Sequence, residues 1–295
     1  MPETVSFLVD PLPVGTSAEF LESSFREIEP GSPALAVNDL APHRGDGVFE
    51  TLAIVDGRVN DLEPHLARLA NSARLTDLPE PNLDQWRLVI RRAAERAPAD
   101  GQFSVKIVVS RGVDPGTVPT GWAHVASVPD FSRERSHGIR VVTLDRGIDR
   151  GAGERAPWLL LGAKTLSYAP NMAAIREAKR RGVDDAVFVS SDGFVLEGPT
   201  SNVLVRLGDV VVTPPPAAGI LHGTTQRRVF AFLESLGRRV AYRDLTLDEL
   251  RGADAAWLVS SVRMAAPVIE VDGHPLGADA AMTAEINDHL LGAND

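Results

Sequence analysis

Apolar positions along this chain recur with two periods, and the changes between them predict its elements. Residues 48–54 form an apolar-rich extended run, Asp56-Gly57 follows, and a second extended run begins at Arg58. Asp-Gly between two such runs reads as a β-hairpin turn. Leu62, Leu66, Leu69 and Ala73 then fall at helical spacing. A second helix is predicted over residues 84–96, where Trp86, Leu88, Val89 and Ala93 are apolar. Residues 103–110 alternate as a strand that ends at Arg111-Gly112. Residues 1–40, with Pro and Gly scattered through them, read as an irregular, strand-poor lead-in.

The polar stretch 128–138 breaks the periodicity and predicts an interdomain linker. It separates a smaller N-terminal α/β domain (1–127) from a larger C-terminal domain (139–295). The second half predicts a strand at 139–144, a helix at 170–181 stopped by Gly182, and a strand at 186–190. Asp192-Gly193 turns that strand into 194–196, and strands at 202–206 and 210–213 follow. An amphipathic helix over 225–236 puts Val229, Phe232, Leu233 and Leu236 on one face, and 255–260 is a buried strand. Strands in hairpins with helices interspersed give an α+β class rather than a doubly wound sheet.

Composition narrows the function classes. A formal net charge of −10 disfavours a nucleic-acid partner, whose polyanionic backbone wants a basic face. The chain has no cysteine, which excludes thiolate nucleophiles and cysteine metal sites, and no metal ligand set is expected. Met1 to Asp10 carries no signal-peptide pattern and no run is long enough to span a bilayer, so a soluble cytoplasmic protein with no membrane partner is expected. Of the 30 basic residues only three are lysine: Lys106, Lys164 and Lys179. Arginine stays protonated and cannot form an imine, whereas a lysine of lowered pKa can.

Among the three, Lys164 follows the apolar run 158–161, which predicts partial desolvation and an available neutral amine. A lysine snorkelling from a strand end is the competing reading. Lys179 lies in a charged stretch, and Lys106 alternates with Val105 and Ile107, so both are predicted to face outward. Glu197 ends a hairpin strand, where a buried carboxylate calls for a cationic or protonated partner and an edge carboxylate would simply meet water. The segment GILHGTT, residues 219–225, precedes a predicted helix. Glycines before a helix N-terminus suit a phosphate cup, and Gly with Thr is also ordinary capping. Arg68 on its predicted helix is either a surface residue or a bidentate phosphate partner.

Taken together, the segments HRGDGVFETL (43–52), HLARL (65–69), AKTLSYAPN (163–171), GFVLEGPTSNV (193–203) and GILHGTT (219–225) resemble the fold type IV pyridoxal-phosphate enzymes. That class includes branched-chain aminotransferases, D-amino-acid transaminases and 4-amino-4-deoxychorismate lyases. The resemblance implies a two-domain α+β fold of the D-amino-acid aminotransferase type, pyridoxal 5'-phosphate as cofactor, and a homodimer. It implies that Lys164 forms the imine with the cofactor and shuttles the proton, and that Glu197 pairs with the pyridine nitrogen. Arg68, Thr224, Thr225 and Ser261 would hold the phosphate, and Tyr168 would contact the phenolic oxygen. Tyr168 stands four residues after the lysine rather than the five of the branched-chain enzymes, and Gln226 stands where an arginine is often found.

For the substrate, the resemblance points to Arg44, Phe49 and Arg111. Arg44 occupies a position that is aromatic in branched-chain enzymes. Two cations suit a dianionic amino substrate better than a branched aliphatic one, and a structural loop arginine is the competing reading for both Arg44 and Arg111. The expectation is therefore a 4-amino-4-deoxychorismate lyase giving p-aminobenzoate and pyruvate. D-amino-acid or branched-chain transamination is the alternative, and a non-catalytic cofactor-binding protein a third. The intact set Lys164, Glu197 and Arg68 argues against the third.

Overall fold

The computed structural model describes residues 4–29, 31–116 and 118–292. They divide into two compact units. One comprises residues up to Pro129 together with Ala163–Tyr168, and the other Asp130–Gly162 with Ala169–Gly292.

Among the described residues, the first unit holds strands β1 (Val5–Val9), β2 (Phe25–Ile28), β3 (Gly47–Val55), β4 (Arg58–Val59), β5 (Gln102–Ser110) and β6 (Thr120–Ser127). They form one antiparallel sheet in the order β2-β1-β6-β5-β3-β4. Its helices are α1 (Leu40–Arg44), α2 (Leu62–Leu75) and α3 (Leu83–Ala94). Alternation places Val48, Leu52 and Ile54 of β3 and Val105, Ile107 and Val109 of β5 on one face. That face packs against Leu66 and Leu69 of α2 and Trp86, Val89 and Ile90 of α3. Each fully buried side chain of this size stabilises the fold by about 1.5–3 kcal/mol. Asp56 and Gly57 both have positive φ, as the two-residue hairpin turn requires. The strand-poor lead-in is corrected here. Residues 5–9 form β1, flanked by β2 and β6, because Val5, Phe7 and Val9 find their partners more than a hundred residues away at Val125, Ala123 and Gly121.

The second unit contains β7 (Ile139–Asp145), β8 (Asp185–Val189), β9 (Asn202–Leu207), β10 (Val210–Thr213), β11 (Arg239–Tyr242), β12 (Ala255–Ser260), β13 (Met264–Val271) and β14 (His274–Pro275). The sheet order is β11-β10-β9-β12-β13-β7-β8, with β14 paired to β13. Helices α4 (Ser132–His137), α5 (Ala152–Arg155), α6 (Ala169–Arg180), α7 (Thr224–Ser235), α8 (Leu247–Arg251) and α9 (Ala280–Leu291) complete it. The polar stretch 128–138 is thus not a bare connection. It contains α4, which packs on β13 and α9 of this unit. Residues 194–196 make single bridges, Val195 to Val189 and Phe194 to Thr246, rather than a full strand. Among the described residues no helix is long and apolar enough to cross a membrane.

Candidate active site

Lys164 is held by backbone pairing. Phe49 N–H donates to the Lys164 carbonyl at 3.0 Å, Leu166 N–H donates to the Gly47 carbonyl at 2.9 Å, and Val48 and Thr165 form an antiparallel bridge. Lys164 N–H in turn donates to the Ser72 hydroxyl of α2 at 3.1 Å. The segment 164–166 therefore extends the sheet beside the start of β3. Gly47 permits the approach, since a Cβ there would stand 2.8 Å from Leu166 Cδ1 and 2.7 Å from the Val109 carbonyl. The amine Nζ of Lys164 lies 4.5 Å from the Phe49 ring centroid and 5.8 Å from that of Tyr168, and the two rings meet edge to face at 5.3 Å. Lys164 is partly buried, yet not for the reason its sequence suggests. Trp158 and Leu159 are exposed, at 75% and 43%, in a short 3-10 turn. Phe49 and the strand pairing shelter the lysine instead.

Arg68 is 9% exposed on the inner side of α2, and its neighbours are charged. Its Nε and Nη2 donate to both carboxylate oxygens of Glu50, at 2.8 and 2.6 Å, and His65 Nδ1 lies 2.7 Å from Glu50 Oε2. Burial alone would push the Glu50 carboxyl up. The Arg68 charge and the hydrogen bonds from Arg68 and His65 outweigh it and hold Glu50 down at about 2. Burial pushes His65 down, against the pull of Glu50, so His65 is the neutral donor and Arg68 the true counterion. Glu50 and His65 escaped assignment from the sequence, although Glu50 shares the parity of Val48, Leu52 and Ile54. An acid on the buried face of a strand is a readable signal.

In the second unit, Glu197 is positioned by main-chain bonds. Its carbonyl accepts from Phe188 N–H at 2.8 Å, and its Oε2 accepts from Leu221 N–H at 3.1 Å. The carboxylate thus addresses the 219–223 loop. Asn202 fixes that loop by donating from Nδ2 to the Leu221 carbonyl at 2.8 Å. Gly223 closes against the same side chain, where a Cβ would fall 1.8 Å from Asn202 Oδ1. Gly223 caps α7 without a side-chain bond, and Thr224 and Thr225 open the helix, both buried. Their hydroxyls lie 3.4 and 3.2 Å from the Ser261 hydroxyl. Three hydroxyls meet at the start of a twelve-residue helix, where unpaired main-chain N–H groups and the helix dipole favour an anion.

Of the predicted substrate residues, Phe49 is buried beside Lys164, whereas Arg44 is exposed at the end of α1. Arg111 meets three acceptors within its own unit, with Nε on Asp46 Oδ2 at 2.7 Å, Nη2 on the Thr76 carbonyl at 2.6 Å and Nη1 on the Asp77 carbonyl at 3.1 Å, which fits its reading as a structural loop arginine. Lys106 is corrected. It leaves the α2–α3 core as its alternation implies, but it lies partly buried with its Nζ 4.5 Å from the Phe49 centroid.

Residues 47–271 match the family model described as amino-transferase class IV. The chain is 44% identical over 259 residues to a Mycobacterium tuberculosis protein named bifunctional aminodeoxychorismate lyase / D-amino acid transaminase, covering 84% of this chain and 90% of that one. A solved fold IV transaminase from Curtobacterium pusillum superposes with a TM-score of 0.92 at 48% identity, covering 97% of both chains. The PLP-bound form of a hypothetical aminotransferase from Mycobacterium tuberculosis superposes at 0.88 with 41% identity, covering 97% of this chain and 98% of that one.

Proposed function

The chain belongs to the class IV aminotransferases and is a pyridoxal-phosphate enzyme. From that premise we propose that it acts on a small amino substrate as an aminodeoxychorismate lyase that also transaminates D-amino acids. When bound, pyridoxal phosphate supplies an aldehyde that condenses with amines and a ring that draws electrons from the substrate's α-carbon. The residues described fit that group: an amine against an aromatic face, a fixed carboxylate, and a hydroxyl-lined helix start.

In this reading Lys164 binds the cofactor covalently, yields to the substrate amine, and then takes or returns the proton at the α-carbon. Glu197 keeps a proton on the pyridine nitrogen. Thr224, Thr225 and Ser261 bind the phosphate, with Arg68 supplying charge, and Tyr168 flanks the ring. Arg44 binds a substrate carboxylate. It is exposed, and no carboxylate lies within ion-pair distance of it among the described residues. The protein acts as a homodimer.

The observation that carries the reading is the fastening of Lys164 to β3, which fixes an amine beside Phe49 by backbone bonds rather than by side-chain packing alone. Support for the pairing of two activities comes from the bifunctional name of the 44% identical relative. The test combines borohydride trapping with two assays. A reduced adduct mapped to Lys164, p-aminobenzoate from aminodeoxychorismate, and keto-acid-dependent consumption of D-alanine are expected. An adduct without p-aminobenzoate would leave a transaminase alone. Loss of lyase activity in Arg44→Ala with D-alanine turnover less affected supports its substrate role.

A further inference from the structure

The face of the first unit's sheet turned away from α2 and α3 carries two adjacent rows of side chains. Strand register aligns Phe49, Val108, Trp122 and Leu8 in one, and Thr51, Lys106, His124 and Ser6 in the other. Phe49 is touched by two amines. Lys164 Nζ and Lys106 Nζ each lie 4.5 Å from its centroid, so they stand at most twice that distance apart. Lys106 is partly buried, burial pushes its amine down, and no carboxylate among the described residues compensates it. Its cross-strand neighbour His124 engages the Ser6 hydroxyl through Nδ1 at 2.8 Å. Beside that pair opens a cavity of about 360 Å³ walled largely by Leu8, Ile28, Leu35 and Trp122, with Ser6 and His124 as polar edges.

A half-desolvated ammonium without a counterion is stabilised when a ligand brings one. With the substrate amine at Lys164, a carboxylate carried elsewhere on the same molecule lies within reach of Lys106. The apolar cavity beyond it suits the carbon body that bears such a group. Resting on the function proposed above, we infer that Lys106 is the receptor for a second carboxylate of the substrate, and that the Trp122–His124 cavity bounds the substrate's apolar portion. The preferred substrates are then dicarboxylic amino compounds rather than simple aliphatic amino acids.

Pentanedioate and pentanoate are the probes, because they share a chain length, lack a reacting amine and differ by one carboxylate. Calorimetric titration of the holoenzyme should show pentanedioate binding tighter by about tenfold or more. Lys106→Met, which keeps the volume and removes the charge, should erase the difference, and Lys106→Arg should retain most of it. Lys106→Gln serves if the methionine variant fails to fold. The ratio of kcat/KM for D-glutamate over D-alanine should collapse in parallel. Equal affinities in the parent, or a difference that survives loss of the amine, would overturn the inference. Borohydride trapping on the same samples separates the cases. A Lys164 adduct with no dicarboxylate preference defeats only the role of Lys106, whereas no adduct at all defeats the pyridoxal reading and leaves the anion measurement to decide Lys106.

Discussion

The Nε of Arg111 donates to Oδ2 of Asp46 at 2.7 Å, tying the end of β5 to the turn that leads into β3. The same guanidinium caps the carbonyls of Thr76 and Asp77, where the chain leaves α2. One side chain thus joins three segments around Gly47, the residue that admits the lysine strand.

Arg111→Ala should therefore act on stability. The ion pair is partly solvated, so the loss is roughly 1–2 kcal/mol. Thermal unfolding should fall by a few degrees, and lyase and transaminase efficiencies should fall together. Selective loss of activity toward dicarboxylic substrates, with an unchanged Tm, would return Arg111 to the substrate site. Arg111→Lys should rescue little, because a single ammonium cannot reach three acceptors in the geometry of a guanidinium.

The buried Glu50–Arg68 pair predicts an acid limb in stability. A carboxyl held at about 2 in the folded protein, against 4.5 ordinarily, contributes stability that is fully present above the higher value. That contribution is lost as pH falls from about 4.5 through about 2, and it is on the order of 3 kcal/mol. Denaturant titrations of parent protein should show the slope across this window. Glu50→Gln should be less stable at neutral pH and flatter below 4.5. An equally steep acid limb in the variant would place its origin in other carboxylates.

Much of the fold was legible because local patterns and tertiary contacts agree. The Asp56-Gly57 turn, the α2 stripe of Leu66 and Leu69, and α7 after Gly223 each declare themselves within a few residues. Where pairing is distant, pattern reading fails. The five residues of β1 look like part of a Pro-rich lead-in until Val125 and Ala123 are brought beside them.

The candidate site divides the same way. Lys164 stood out by chemistry and scarcity, but its environment was misjudged, because residues 158–160 are exposed and the shelter comes from Phe49, more than a hundred residues earlier. Arg111 admitted both a substrate and a structural reading because sequence does not reveal which acceptors a guanidinium meets. The amine of Lys106 was read as solvent-facing because alternation gives the side of a sheet and not what covers that side.

Thr225 and Ser261 give a test that isolates the phosphate from the rest of the cofactor. Their hydroxyls lie 3.2 Å apart at the start of α7. Thr225→Val with Ser261→Ala should weaken pyridoxal phosphate by roughly 30–150-fold, counting about 1–1.5 kcal/mol for each hydrogen bond. Affinity for pyridoxal, which lacks the phosphate, should change little. Parallel losses for both ligands would mean that the hydroxyls serve only the helix start.

Glu197 provides the sharpest separation of binding from chemistry. Its Oε2 accepts from Leu221 N–H, and a glutamine can still accept there through its amide oxygen, so the 219–223 loop should keep its shape in Glu197→Gln. What the amide lacks is negative charge, which in the proposed role keeps the pyridine nitrogen protonated. Removing it weakens electron withdrawal at the moment the α-carbon bond breaks and leaves ground-state contacts nearly intact. Glu197→Gln should thus bind cofactor within a few-fold of the parent. It should lower kcat by roughly a hundredfold, equivalent to about 3 kcal/mol of transition-state stabilisation. Transamination and lyase activity should fall alike, since both require that bond to weaken. Glu197→Asp, which restores charge on a shorter arm, should recover part of the rate. Cofactor absorbance titrations and single-turnover rates measure the two quantities separately. Near-parental kcat in Glu197→Gln, or a loss confined to cofactor affinity, would make Glu197 a loop anchor and require another acid to serve the ring nitrogen.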